Sequence, residues 1–200
     1  DISSLTYYAA VAGGGGSRTS NGNLNTSTND ADGKYNITSG TTIISGNYNS
    51  AGGTNGSGGS NSTRGILYGG TGAGINSNGQ THNMGSHGLT RISGWLGGSG
   101  DYQGGFGGGG SSFGDSPYHT YKWSGGGGGY SGGGSGLNRG AGDGQYGGGG
   151  GSHYSGTLVS GANGANSNHG YVIIESSEPA NTAPTATTQS VTGNEDAAQT

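Results

Sequence analysis

Runs of glycine at residues 13–16, 107–110, 125–129 and 147–151 constrain this chain more than any other feature. Each glycine inside an α-helix costs about 1 kcal/mol relative to alanine, so helix is excluded across these runs. A strand is weakened as well, because glycine brings no side chain to its packed face. Two outcomes remain: a flexible spacer, or order achieved through the backbone itself. Order is expensive, since fixing one residue costs about 1–2 kcal/mol and glycine lies at the upper end. Three features nevertheless favour it. The runs sit beside aromatic residues, Phe106, Tyr130 and Tyr146, for which a spacer has no use; they differ in length and flank; and a strand-like segment follows them at residues 170–175.

The ordered form open to such runs is a bundle of polyglycine II helices, with three residues per turn, about 3.1 Å rise and no internal hydrogen bonds. Their N–H and C=O groups point outward and bond laterally, and only glycine lets backbones approach closely enough; Cα–H···O contacts add to this. Gly105, Gly107, Gly108, Gly126, Gly127, Gly128, Gly148 and Gly149 are assigned that structural role. Residues 104–110, taken as one rod, would span roughly 22 Å.

Composition supports a core of backbone. Glycine supplies 54 of 200 residues and only 26% are hydrophobic, too few for a conventional core. Only 8% are charged, which separates the chain from disordered sequences that pair low hydrophobicity with high net charge. A net charge of −4 with six dispersed basic residues argues against a nucleic-acid partner. Cysteine is absent, excluding disulfides and thiolate metal sites and pointing to a bacterial surface protein. No apolar stretch approaches the roughly 18 residues of a membrane span, and both ends read as cut from something longer.

Along the chain, residues 5–11 alternate apolar Leu5, Tyr7, Ala9 and Val11 at the period of a half-buried strand. A second pair is predicted from residues 34–38 and 42–45, with Ile37, Ile43 and Ile44 inward, after an Asp32-Gly33 turn signal. Residues 46–64 are read as loop. Tyr171, Val172, Ile173 and Ile174 make the strongest strand signal, buried on both faces or closing an edge, and it is paired with residues 5–11. From residue 178, Pro179, Pro184 and Thr/Ala-rich sequence mark a linker.

The order Gly69-Gly70-Thr71-Gly72-Ala73-Gly74, then the runs around Phe106 and Tyr130, then His169-Gly170-Tyr171-Val172-Ile173-Ile174, resembles the glycine-rich domain of the anaplastic lymphoma kinase and leukocyte tyrosine kinase receptors, and still more its bacterial relatives. The resemblance covers residues 65–175 and, more weakly, 5–16. It implies an all-β fold with almost no α-helix, in which jelly-roll-like sandwich strands carry an inserted polyglycine II bundle, and a protein-binding role. The chain lacks cysteines, a membrane span and a kinase domain, so no receptor ligand-binding residue is carried over. Asn181 to Ala186 and Val191 to Asp196 resemble the opening of cadherin-like or immunoglobulin-like modules of bacterial adhesins. The expected division is a glycine-rich domain over 1–177 and a linker with the start of such a module over 178–200.

Catalytic chemistry finds little support. Gly142-Asp143-Gly144-Gln145-Tyr146-Gly147 matches G-x-G-x-x-G, but without the strand before and helix after that a nucleotide site requires. His82, His87, His119, His153 and His169 are dispersed, whereas zinc needs about four convergent ligands. No nucleophile elbow or carboxylate pair is evident. Asp30-Ala31-Asp32-Gly33 and Gly97-Gly98-Ser99-Gly100-Asp101 only approach calcium motifs. No cofactor is expected, and calcium only in the adjoining C-terminal module through Glu195 and Asp196. Asn36-Ile37-Thr38 and Asn61-Ser62-Thr63 match the glycosylation sequon, as chance allows in so Asn/Ser/Thr-rich a chain.

The function expected is that of a non-catalytic, extracellular or cell-surface adhesin-type module, whose partner is a surface protein, a glycan or copies of itself. Trp95, Tyr102, Tyr118, Tyr121 and Trp123, in the longest stretches between glycine runs, are the candidate contact residues, because Tyr and Trp give large contact area at low entropic cost. The same residues could instead cap the glycine bundle. A filament or matrix subunit is the alternative function; ice binding is a third, disfavoured because the glycines keep no strict period of three.

Overall fold

A computed structural model of the chain describes residues 10–11, 13–16, 33–34, 37–45, 48–61, 69–82, 85–113, 122–136, 146–157, 160–164 and 173. Strands are short and antiparallel. β1 (Ala10–Val11) pairs with β7 (His153–Tyr154), aligning Val11 with His153. β2 (Ile43–Ser45), β3 (Tyr48–Ala51) and β4 (Ser60–Asn61) form a three-stranded meander, and β5 (Ser112–Phe113) pairs with β6 (Lys122–Trp123). The described residues contain no α-helix; the one helical element is a 3₁₀ turn at Arg91–Ser93.

Among the described residues, most of the interior is glycine backbone. Residues 69–75, 107–110, 124–129, 131–136 and 146–152 are buried throughout apart from half-buried Tyr130 between two of them. These segments bond sideways, and their partners recur every third residue. Gly70 and Ala73 both donate to one neighbour, at the carbonyls of Gly110 (2.9 Å) and Gly107 (2.7 Å). Their own carbonyls both accept from a second, at the amides of Gly126 (3.0 Å) and Gly129 (3.2 Å). Between them, Gly72 donates to Gly133 and accepts from Gly59, each at 2.9 Å. The pattern repeats elsewhere: Gly148 and Gly151 donate to Gly134 and Ser131, while accepting from Gly127 and Tyr130. A strand would return to the same neighbour every second residue. Each such bond adds about 0.5–1.5 kcal/mol net, and leaving one of these buried groups unpaired would cost about 1–3 kcal/mol.

Close approach, not backbone dihedral, selects glycine here. Only Gly107 (φ 65) in these runs has a positive φ. A Cβ on Gly72, Gly127, Gly133 or Gly148 would come within 3.0 Å of a neighbouring backbone carbonyl, closer than real Cβ atoms come. Gly105 is different: a Cβ there meets nothing within 4 Å. Residues 104–110 are accordingly not one straight rod. Gly108 donates to the Gly105 carbonyl (2.8 Å) around Phe106 and Gly107, and the positive φ at Gly107 is the signature of a type II turn.

Few apolar side chains assist. Among the described residues Ile43, Ala73, Ile75, Trp123 and Tyr146 are the buried hydrophobics. A polar cluster takes the place of a larger apolar core under the meander. The Asn61 Oδ1 accepts from the hydroxyls of Ser50 (2.5 Å) and Ser135 (2.8 Å), and the Ser135 amide donates to Ser50 Oγ (2.6 Å).

Several sequence expectations change. Residues 48–61, read as loop, contain β3 and β4. The Thr54 to Ser57 turn between them places Asn55 (φ 51) and Gly56 (φ 82) both in the left-handed region, as a type I′ hairpin turn requires. β2 pairs with β3; of the described residues in the expected partner segment, Lys34 donates to Gly150 and Ile37 accepts from Ser152. Of the three isoleucines expected inward, Ile43 is buried while Ile37 and Ile44 are exposed. Ala10 and Val11 pair with β7, a partner not expected from the sequence; of residues 170–175 only Ile173 is described, and it is exposed, so the expected pairing with that segment lies outside the described residues. Residues 5–9 and the linker over 178–200 lie outside the described residues.

Candidate binding surface

The glycine segments carry a loop, residues 89–106, whose apolar side chains turn outward. Its base is fastened at several points. Leu89 donates to Leu96 (2.9 Å), and the Thr90 amide donates to Asn78 Oδ1 (2.8 Å). Gly98 donates to Gly108 (2.8 Å), and Tyr102 and Ser111 exchange two backbone bonds of 3.0 Å. The 3₁₀ turn at Arg91–Ser93 ends on Gly94 at φ 80, where glycine alone adopts the left-handed region without strain.

Trp95 follows in the same region, at φ 56. That conformation is an outlier for a bulky residue and costs on the order of 1–3 kcal/mol. Surrounding bonds hold it there. The Trp95 amide donates to Thr90 (3.0 Å), and its carbonyl accepts from Gly107 (2.8 Å). Its indole lies over Gly107, where a Cβ would be 2.8 Å from Cε3. The ring stacks on Phe106 with centroids 5.1 Å apart and planes inclined by 22°, an arrangement of the favoured offset kind.

Around this half-buried tryptophan the apolar residues are exposed. Phe106 is 74% exposed, Ile92 73% and Leu96 59%. Tyr102 is also exposed. Placing so many large apolar groups in water on one short loop has no folding benefit.

Three other aromatics beside the glycine runs are buried or half-buried. Trp123, on β6, is buried and presents no surface to a ligand. Tyr146 is buried at the start of its run. Tyr130 stacks on His153 of β7 at 4.6 Å. The five aromatic contact candidates therefore divide: Trp95 and Tyr102 lie on the outward loop, Trp123 lies in the interior, and Tyr118 and Tyr121 fall outside the described residues. Sequence reasoning misses Phe106, Ile92 and Leu96 as surface residues. In the sequence Phe106 reads only as a flank of a glycine run, and the signal pointing outward is the Gly-Gly-Phe-Gly turn sequence itself.

The remaining motifs are placed as follows. Asn61 of the second sequon is buried in the polar cluster, where no glycan fits. Asn36, Asp30, Asp32, His119, His169, Glu195 and Asp196 lie outside the described residues. Gly98 is buried, and Asp101 is exposed. His87 Nδ1 bonds the Thr81 hydroxyl, and burial lowers the pKa of His82 from its usual 6.5. Among the described residues no group of three or more His, Asp or Glu is arranged to hold a metal ion, and no helix is long and apolar enough to cross a membrane.

Comparison with protein families, with curated proteins and with solved structures found no match.

Proposed function

We propose that this chain is a non-catalytic, adhesin-type surface module, extracellular and bacterial, in which a bundle of polyglycine II helices holds an apolar loop outward for binding. The three-residue recurrence of hydrogen-bond partners supports the polyglycine II assignment, since that helix has three residues per turn. So does the absence of positive φ in residues 125–129, 132–134 and 147–151. Jelly-roll-like strands around the bundle would complete the architecture that the resemblance to the receptor glycine-rich domains implies. The single observation carrying the binding role is the strained Trp95 held against an exposed Phe106. Strain of this kind persists where function requires a fixed geometry.

Two measurements test the proposal. Hydrogen exchange at Gly72, Gly127, Gly133 and Gly148 is expected to be slow, opening only with the whole domain; exchange at random-coil rates there would dismiss the bundle. Beads coated with the protein are expected to retain bacterial cells or their matrix, and to lose that retention in the Phe106→Ala/Leu96→Ser variant at unchanged Tm. Retention that the double variant keeps, or no retention by the wild type, overturns the adhesin reading.

A further inference from the structure

We infer that the Trp95–Phe106 platform binds a neutral saccharide, a pyranose ring lying on the exposed face of Phe106. This rests on the adhesin reading and specifies its ligand. Three properties select the ligand class. First, the platform is uncharged: Ile92, Trp95, Leu96 and Phe106 carry no ionisable group, and the two charged residues of the loop, Arg91 and Asp101, are opposite in sign, so the loop has no net charge with which to select an acidic or basic partner. Second, it is small. Among the described residues the loop exposes Ile92, Leu96, Tyr102 and Phe106 beside half-buried Trp95, far short of the roughly 20–30 residues a side that a stable protein–protein interface uses, a second copy of this chain included. Third, it is flat and fixed. The two rings lie within 22° of parallel, and the Trp95 backbone is fastened at both its amide and its carbonyl.

A pyranose matches these properties. One face is a patch of C–H groups suited to the negative face of an aromatic ring. Its hydroxyls project from the rim, and the same loop carries exposed Ser93 and Gln103 as polar side chains. A rigid ring meeting a prefixed ring loses little entropy on binding, which lets a small surface suffice.

The experiment is calorimetric titration of the intact 200-residue chain with cellohexaose, mannohexaose and, as the charged counterpart, hexagalacturonate. The expected result is saturable binding of at least one neutral hexasaccharide, weaker binding of the charged one, and a loss of about ten-fold or more in Phe106→Ala. Phe106→Tyr should retain the affinity, since it keeps the ring. Slow glycine exchange in Phe106→Ala establishes that the variant is folded. Failure of both neutral probes to bind the wild type overturns the inference, as does affinity that Phe106→Ala leaves intact. Self-association abolished by Phe106→Ala, seen by ultracentrifugation, would also overturn it, by giving the platform to a second copy. Bead retention of cells without saccharide binding removes the saccharide alone and leaves the adhesin reading standing.

Discussion

The carbonyl oxygen of Gly127 occupies the space where a side chain on Gly72 would begin. Neither glycine has a positive φ, so alanine is forbidden at position 72 by its neighbour and not by its own backbone. The amide and carbonyl of Gly72 are bonded to Gly133 and Gly59, which prevents the segment from moving aside without breaking buried bonds.

Gly72→Ala is therefore expected to destabilise the domain by about 3 kcal/mol or more, at the upper end of overpacking effects. Gly105→Ala is the matched control. A Cβ there meets nothing, and its φ is not positive, so the substitution should be neutral or stabilise by up to about 1 kcal/mol through a less flexible unfolded chain. Urea titration of both variants checks the contrast; equal effects would show that the segments are not packed as described.

The buried polar cluster makes a second prediction. Ser50→Ala leaves the buried Ser135 amide without its acceptor and Asn61 Oδ1 with one donor fewer. The expected loss is about 1–3 kcal/mol. Ser60→Ala, at an exposed side chain on the same hairpin, should stay within about 0.5 kcal/mol. Denaturation midpoints that do not separate the two serines would count against the cluster.

The hairpin turn can be tested through Gly56. Its φ is 82, and a Cβ would lie 2.6 Å from the Asn76 Nδ2 and 2.9 Å from Ile75 Cγ1. Gly56→Ala should cost about 1–3 kcal/mol by strain and crowding combined. Asn55→Gly, which relieves a non-glycine residue at φ 51, should change stability by no more than a few tenths of a kcal/mol. Thermal melts of the two variants give the comparison.

Burial lowers the pKa of His82 below 6.5, because desolvation disfavours the imidazolium. The unfolded chain then binds that proton more readily than the folded one. The contribution of His82 is fully present above about pH 6.5 and is lost as pH falls from there through the folded value. The effect is partial, since the residue is only half-buried. Tm measured between about pH 7.5 and about pH 5 should fall more in the wild type than in His82→Gln. Equal falls would assign the acid sensitivity to other groups.

Much of the backbone scheme is legible in the residues alone. The glycine runs exclude helix, and flanking residues such as Tyr130 and Tyr146 argue against a spacer. The meander is legible only at Ile43 of β2, because the inward residues of β3 and β4 are polar. Ser50 and Asn61 satisfy each other instead of forming an apolar alternation, and the Asn55-Gly56 signal between them is submerged in Asn/Ser/Thr-rich sequence. The partner of Ala10 and Val11 escapes the sequence for a related reason: His153 and Tyr154 carry no strand-like hydrophobic run, and their pairing follows from where the glycine segment before them ends.

By itself the sequence determined that this chain could not build a helical or conventional apolar core, because glycine contributes neither helix propensity nor side-chain area. It also determined that any order must come from hydrogen bonds between backbones. Tertiary structure alone decided which glycines are irreplaceable and which aromatics face water. Gly72 and Gly105 are the same residue type in similar runs, yet only Gly72 has a neighbouring carbonyl against it. Phe106 and Tyr146 both flank glycine runs, yet one sits at the tip of a turn and the other inside the packed segments. Such differences depend on lateral neighbours distant in sequence, which no local pattern encodes.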